Sequence, residues 1–183
     1  MSAALPTILV AGIGNIFLGD DAFGCEVAQR LMRRAQPSHV RVVDFGIRGL
    51  DLVYALSDCG GAAILVDAVP REGQTAGTVF VLEPDVQSLR CESPVLMDAH
   101  SMDPMKVLSA VAAMGSFPQR VLIVGCQPAM VPGEEDDGTD IPMTLSDAVA
   151  AAIEPAVEMV ESLIGRLTSE FMSNSKELSS CKQ

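Results

Sequence analysis

Acidic side chains follow three apolar segments of the chain, and their types and spacing could support chemistry. Asp21 lies beyond the apolar run at residues 7–13, Asp44 ends the segment VRVVD, and Asp67 ends the segment ILVD. If these segments are parallel strands, their carboxyl ends share one edge of the sheet, which is where sites form in open α/β proteins. Carboxylates grouped there could bind a divalent cation or act as acids and bases.

A histidine could complete this acidic group. His100 lies in a polar connection, LMDAHSMDP, just before a predicted helix, and from there its imidazole could reach the same edge of the sheet. Two Asp oxygens and one His nitrogen would leave coordination positions open, which suits Zn²⁺ or Ni²⁺ better than a closed structural site.

Each acid also has a simpler structural explanation. Asp44 or Asp67 alone could be a turn acid that accepts hydrogen bonds from neighbouring amides. Asp20 or Asp21 stands where the N-cap of the following helix belongs, and one acid is enough for that cap. The second carboxylate of the pair would then be free to project over the strand ends.

Alternating strand and helix signals must position these residues. Apolar runs predict five strands, at residues 7–13, 39–46, 61–68, 78–84 and 120–126. Apolar positions at helical spacing predict four helices, at residues 22–34, 48–58, 103–113 and from Ser146 onward. The alternation is typical of a doubly wound α/β fold with a mainly parallel sheet, in which residues 78–84 are expected to form an antiparallel edge strand.

The length of the chain predicts a single domain. Its 183 residues can bury a self-sufficient core. We expect the domain to extend over residues 1–167. The polar run after Leu167 lacks periodicity, so residues 168–183 are predicted to form a frayed, disordered tail.

Composition excludes several classes of function. The net charge is −12, with no basic stripe, and such a surface repels the phosphate backbone of nucleic acids. No apolar run reaches the roughly 18 residues of a membrane span, and the N-terminus lacks the features of a signal peptide, so we expect a cytoplasmic protein with no membrane partner. Five cysteines without a CxxC pair are expected to be reduced and mostly buried thiols.

Two other kinds of site compete with the acidic one. The loop GIGNIFLGDD begins like a dinucleotide fingerprint, but Phe17 stands where the third glycine belongs and two carboxylates would oppose a pyrophosphate. A nucleotide-binding α/β domain therefore remains only an alternative. Cys126 could pair with His100 as a nucleophile, although its apolar flanks favour a buried core thiol.

Together these motifs resemble a known family, the endopeptidases that mature nickel-iron hydrogenases by removing a C-terminal extension from the large subunit. The resemblance covers residues 7–165, in GIGNIFLGDDAFG, DFGIRGLDL, ILVDAVP, DAHSMDP with the following KVLSAV, VLIVGCQP and MTLSDAV. It implies a three-layer α/β/α sandwich around a twisted, mainly parallel five-stranded sheet. It also implies a nickel-sensing site of Asp21, Asp67 and His100, with Asp44 affecting recognition or cleavage.

The same resemblance implies the partner and the cofactor. The partner is the precursor of a hydrogenase large subunit, and the nickel arrives with that substrate while the resting enzyme is largely metal-free. Nickel could polarise the scissile carbonyl or a water, or it could position the peptide while a carboxylate acts as general base. A non-catalytic chaperone that binds the nickel-loaded precursor is the alternative. The chain departs from the commonest family pattern at Ala22, where glycine is usual, and in the acidic stretch at residues 133–140.

Overall fold

The computed structural model of the chain describes residues 5–85, 104–115, 117–129 and 143–180, with side chains described through residue 175. Five strands form one sheet: β1 (Ile8–Ile13), β2 (Val40–Gly46), β3 (Ala62–Ala68), β4 (Val79–Leu82) and β5 (Arg120–Cys126). Their order is β2-β1-β3-β5-β4. All pairings are parallel except that of β4 with β5, so the predicted antiparallel edge strand is confirmed.

In the described parts of the chain, four helices cover the two faces of the sheet. They are α1 (Phe23–Met32), α2 (Gly49–Ser57), α3 (Pro104–Met114) and α4 (Asp147–Ser180), and a short 3₁₀ helix at Gly19–Ala22 precedes α1. Helices α1 and α4 pack on one face of the sheet, whereas α2 and α3 pack on the other. The predicted three-layer α/β/α architecture is confirmed.

Side chains that alternate along the buried strands contribute to two hydrophobic cores, one on each face of the sheet. Ile8 and Val10 of β1 point towards α1 and α4, whereas Leu9 and Ala11 point towards α2 and α3. Because successive side chains of a strand leave opposite faces, a strand covered by helices on both sides is apolar throughout. Every residue of β1 is accordingly buried.

The start of α4 follows the prediction, but its end does not. Ser146 caps the helix, with the Val149 N–H donating to its Oγ at 3.4 Å. The predicted frayed tail after Leu167 is wrong for the described residues, since α4 continues through Ser180. Phe171 is only 7% exposed, and Arg120 Nη1 donates to Glu170 Oε2 at 2.7 Å. The polar side chains of this region cover only the outer face of a packed helix.

A search of the described residues finds no helix with the length and apolar character needed to cross a membrane.

Candidate active site

Close backbone approaches press the start of α1 against the ends of β1 and β3. A Cβ atom on Gly24 would lie 2.1 Å from the carbonyl oxygen of Val66 and 2.3 Å from that of Ile13. Gly14 has a φ of +135°, and a Cβ there would lie 1.8 Å from the carbonyl oxygen of Asp21. No other residue type fits at these two positions, because any side chain would collide with main-chain atoms. The glycines therefore hold the acidic turn over the carboxyl edge of the sheet.

Asp21 is half-buried at this edge. Its Oδ2 accepts a hydrogen bond from the Asn15 N–H at 2.7 Å. Burial raises the pKa of Asp21 above its ordinary value, and the Asn15 N–H offsets part of that effect. The carboxyl group is thus held in place by the loop after β1 while its surroundings disfavour the charge.

Asp20 is a structural residue with partners far along the chain. It is 6% exposed and accepts hydrogen bonds from the Ala129 N–H at 2.8 Å, the Ser146 N–H at 2.7 Å and the Ser146 hydroxyl at 3.0 Å. The expectation that Asp20 or Asp21 caps a helix is wrong, since neither the 3₁₀ helix nor α1 has a side-chain cap. Asp20 instead joins the segments on either side of residues 130–142, which include the acidic stretch and lie outside the described residues.

Asp44 and Asp67 lie at the carboxyl ends of β2 and β3, as the sequence predicts. Asp44 is half-buried, and its two carboxylate oxygens accept hydrogen bonds from Gln29 Nε2 and from the Gly46 N–H, both at 3.1 Å. The second bond has the geometry of a turn acid, so that explanation accounts for one of the two oxygens. Asp67 is only 4% exposed, inside an otherwise apolar strand.

The thiol of Cys25 lies near enough to all three carboxylates for each of them to affect its pKa. Burial raises the pKa of Cys25 far above its ordinary value, the nearby Asp44 raises it further, and the charges of Asp21 and Asp67 add smaller contributions. The three predicted acids therefore lie near the first turn of α1. His100 falls within residues 86–103 and lies outside the described residues, and no cluster of three potential metal ligands occurs in the part that is described.

An open cleft of about 380 Å³ lies beside this group, between the loops at residues 14–17 and 45–48. Cys25, Gln29 and Asp44 line it. At its mouth the side chains of Ile16, Phe17 and Ile47 are at least half exposed. The cleft thus combines one carboxylate, from Asp44, and one cation, from Arg48, with an apolar rim.

The hydrogen bonds of Arg48, which lines the cleft, go to main-chain oxygens and not to the Asp44 carboxylate. Arg48 donates through Nη2 to the main-chain oxygen of Asp44 and through Nε to that of Phe45 at 3.1 Å. Its Nη1 lies 3.6 Å from Asp51. The guanidinium group therefore braces the loop, and the Asp44 carboxylate accepts its bonds from neutral donors.

The remaining thiols match the expectation of buried, reduced cysteines within the described part of the chain. Cys25, Cys59 and Cys126 are free and buried. Burial raises the pKa of Cys126 to about 11, with a further contribution from the charge of Asp20. A thiol with such a pKa is almost fully protonated at neutral pH, which counts against the alternative of a Cys126 nucleophile.

The partners of the acids are not evident from the sequence. Neither Asn15 nor Gln29 stands out there, and no pattern indicates the cleft. The sequence does indicate that Gln29 and Cys25 lie on the same face of α1, because they are four residues apart in a predicted helix. Its target cannot be read from that spacing, because it depends on how α1 lies against β2.

These features define a class of protein, an α/β fold with acidic side chains near an open cleft at the carboxyl edge of the sheet. At this edge β1 pairs with both β2 and β3, and the connecting helices α1 and α2 lie on opposite faces. Active sites of open parallel sheets form at such a point. The chain belongs to the hydrogenase maturation protease family called HycI, which matches residues 25–163.

Similar proteins support that assignment. The hydrogenase expression/formation protein HupD of Rhizobium leguminosarum bv. viciae is 34% identical over 158 residues, which is 86% of this chain and 75% of the relative. The hydrogenase 2 maturation protease of Escherichia coli (strain K12) is 30% identical over 158 residues, with 84% and 87% covered. The solved structure of the hydrogenase maturating endopeptidase HybD from E. coli superposes with a TM-score of 0.67 at 25% identity, covering 87% of this chain and 93% of that one. The protein is therefore a hydrogenase maturation protease, and a nucleotide-binding domain is not favoured.

Proposed function

We propose that this endopeptidase removes a C-terminal extension from the nickel-loaded precursor of a nickel-iron hydrogenase large subunit. One observation carries the proposal: in a member of the protease family, Asp44 and the buried thiol of Cys25 line an open cleft, and Asp21 and Asp67 lie near enough for their charges to act on that thiol. The substrate is a protein segment, and the nickel is part of that substrate.

Asp21, Asp67 and His100 bind the nickel that the precursor carries. Oxygen and imidazole ligands are adequate for transient capture of this ion, and they leave positions open for ligands that the precursor supplies. The resting enzyme needs no metal of its own, so cleavage begins only after nickel has been inserted. The ion acts as a checkpoint in maturation.

Two roles for the nickel are consistent with this arrangement. In the first, the ion polarises the scissile carbonyl or a water molecule as a Lewis acid. In the second, it positions the peptide while a carboxylate acts as general base on water. In both, Asp44 faces the incoming segment from the wall of the cleft and affects its recognition or cleavage.

Substitution of each ligand tests the proposal. Asp21→Asn, Asp67→Asn and His100→Ala should each abolish cleavage of the nickel-loaded precursor, measured as the mass of the large subunit, while circular dichroism stays native. Asp58→Asn, at an exposed position just after α2, is the control and should cleave like the unmodified chain. Retained cleavage in all three variants would contradict the assignment of the ligands.

The same measurement distinguishes the protease from a chaperone. A chaperone predicts a stable complex with the nickel-loaded precursor and no loss of mass, whereas the protease predicts release of a C-terminal peptide. The cytoplasmic location and the absence of a nucleic-acid partner stay predictions from the sequence.

A further inference from the structure

The Asp44 carboxylate is held by two donors on opposite sides. Gln29 Nε2 donates to Oδ2 from α1, and the Gly46 N–H donates to Oδ1 from the loop after β2, each at 3.1 Å. With one donor on each oxygen, the plane of the carboxylate is fixed relative to both walls of the cleft. The Gly46 donor belongs to the main chain, and the Cys25 thiol is a weak donor, so Gln29 is the stronger side-chain donor to this carboxylate.

Several features place Gln29 at the site and not in the general framework of the fold. It lines the cleft together with Asp44 and is half-buried, so its removal empties no part of the core. It lies one helical turn after Cys25, on the face of α1 that is turned towards the carboxyl end of β2. Its amide hydrogen bonds to an acid at the open cleft, so the side chain of Gln29 orients Asp44 and contributes little to the packing of the core.

The other groups around Asp44 cannot replace Gln29. Arg48 binds the main-chain oxygen of Asp44. The protonated thiol of Cys25 is also a side-chain partner of Asp44, but an S–H group is a weak donor, and this one also donates to the Gly14 carbonyl oxygen at 3.4 Å. Asp21 and Asp67 are themselves acidic. Gln29 is thus the long neutral donor on the helix side of the carboxylate.

We propose that Gln29 is a positioning residue, which holds the Asp44 carboxylate at the wall of the cleft in the orientation needed by the incoming precursor segment. This inference rests on the proposed function. Misplacing a group that contacts the substrate lowers the rate even when the group itself is intact, because the reacting atoms are no longer aligned.

The test compares two substitutions of Gln29 with a matched control. Gln29→Met keeps the length of the side chain but cannot donate, and it should lower the rate of precursor cleavage by about tenfold or more, as expected for loss of a hydrogen bond to a charged group. Gln36→Met is the control, since Gln36 Nε2 donates to the Leu31 carbonyl oxygen at 3.0 Å outside the cleft. It should cleave like the unmodified chain, and all three proteins should melt at similar temperatures.

Gln29→Glu tests the positioning role through the pH dependence of the cleavage rate, which a purely structural role of Gln29 would leave unchanged. At neutral pH two carboxylates face each other and the hydrogen bond is lost, whereas at lower pH the pair shares a proton and the bond returns. The nearby charges of Asp21 and Asp67 favour that protonation, and Arg48 opposes it from the loop. The cleavage rate of Gln29→Glu relative to the unmodified chain should therefore rise as the pH falls, while the relative rate of Gln29→Met stays constant.

The outcomes separate this inference from the proposed function. If the unmodified chain cleaves and Asp44→Asn is impaired, but Gln29→Met cleaves normally, the positioning role is wrong and the proposed function stands. A relative rate of Gln29→Glu that does not change with pH would also overturn the positioning role, even if Gln29→Met folds poorly. If the unmodified chain does not cleave the precursor, the proposed function fails and this inference fails with it.

Discussion

Asp21 illustrates how a proposed site residue can lower the stability of the fold that holds it. Burial raises its pKa, so the native state binds the proton more tightly than the unfolded chain does. As pH rises from below the ordinary value of 3.8, the unfolded state loses its proton first. The free energy of unfolding therefore falls through this interval and levels off above the native pKa.

Replacing Asp21 with asparagine should remove that cost. The introduced amide keeps an oxygen for the Asn15 N–H but carries no charge, so the variant should be at least as stable as the unmodified chain at neutral pH while losing protease activity. Its relative stability should fall as the pH is lowered from neutral towards the ordinary value of 3.8, because the parent carboxyl group takes up a proton in this direction. Urea unfolding at both pH values measures the difference. A relative stability that rises on acidification would contradict the role of burial.

At the scale of single residues, the sequence predicts which acids lie at the edge but not how they are held. Asp44 and Asp67 end apolar runs, and that pattern is sufficient to locate them. The expectation that Asp20 or Asp21 caps the helix is wrong, because a carboxylate beside a helix start satisfies the local pattern whatever it binds. Its actual partner, Ser146, is 126 residues away, and no local pattern contains that information.

Among the elements, α1 and its glycine loop relate most directly to the site. The glycines that look like part of a dinucleotide fingerprint let the helix approach the strand ends: Gly24 lies against Val66 and Ile13, and Gly14 against Asp21. Protein backbone therefore occupies the position where a dinucleotide fingerprint would bind phosphate, and carboxylates lie beside it. Glycine spacing alone could not distinguish this close packing from a phosphate site, whereas the neighbouring acids could.

The end of α4 is the element that the sequence predicts least well. Serine and charged residues after Leu167 suggest a frayed tail, yet Leu167 and Phe171 are one helical turn apart and continue the apolar stripe of the helix. Thr168 meets His39 across the structure, with 2.9 Å between Oγ1 and Nε2. Because the exposed face of this segment is polar, two buried side chains are too few to give it a clear apolar period.

The two neighbouring residues Phe171 and Met172 give a matched test of the packed helix. Phe171→Ala should lower the free energy of unfolding by about 3 kcal/mol, at the low end of the range for truncated buried aromatic side chains. Met172→Ala should have little effect, because Met172 is 49% exposed. Urea denaturation compares the two variants with the parent chain. Equal, small effects would mean that the helix does not pack beyond Leu167.

For the whole molecule, the order of the strands brings the residues of the proposed site, which are far apart in sequence, to one edge of the sheet. Since β1 lies between β2 and β3, the ends of these three strands meet, and α1 brings the acidic turn to the same place. The alternation of strands and helices is predictable from apolar periodicity, and the edge where chemistry occurs follows from it. The cleft is not predictable in this way, because its walls are two loops whose conformations depend on tertiary contacts.

Nickel in the substrate is proposed to permit cleavage, and one measurement tests that dependence most directly. A hydrogenase large-subunit precursor is incubated with the unmodified protein after nickel loading and, in parallel, without nickel, and the mass of each product is determined. We expect loss of a C-terminal peptide from the nickel-loaded precursor alone. Equal cleavage of both forms, or no loss of mass in either, would contradict the proposed checkpoint.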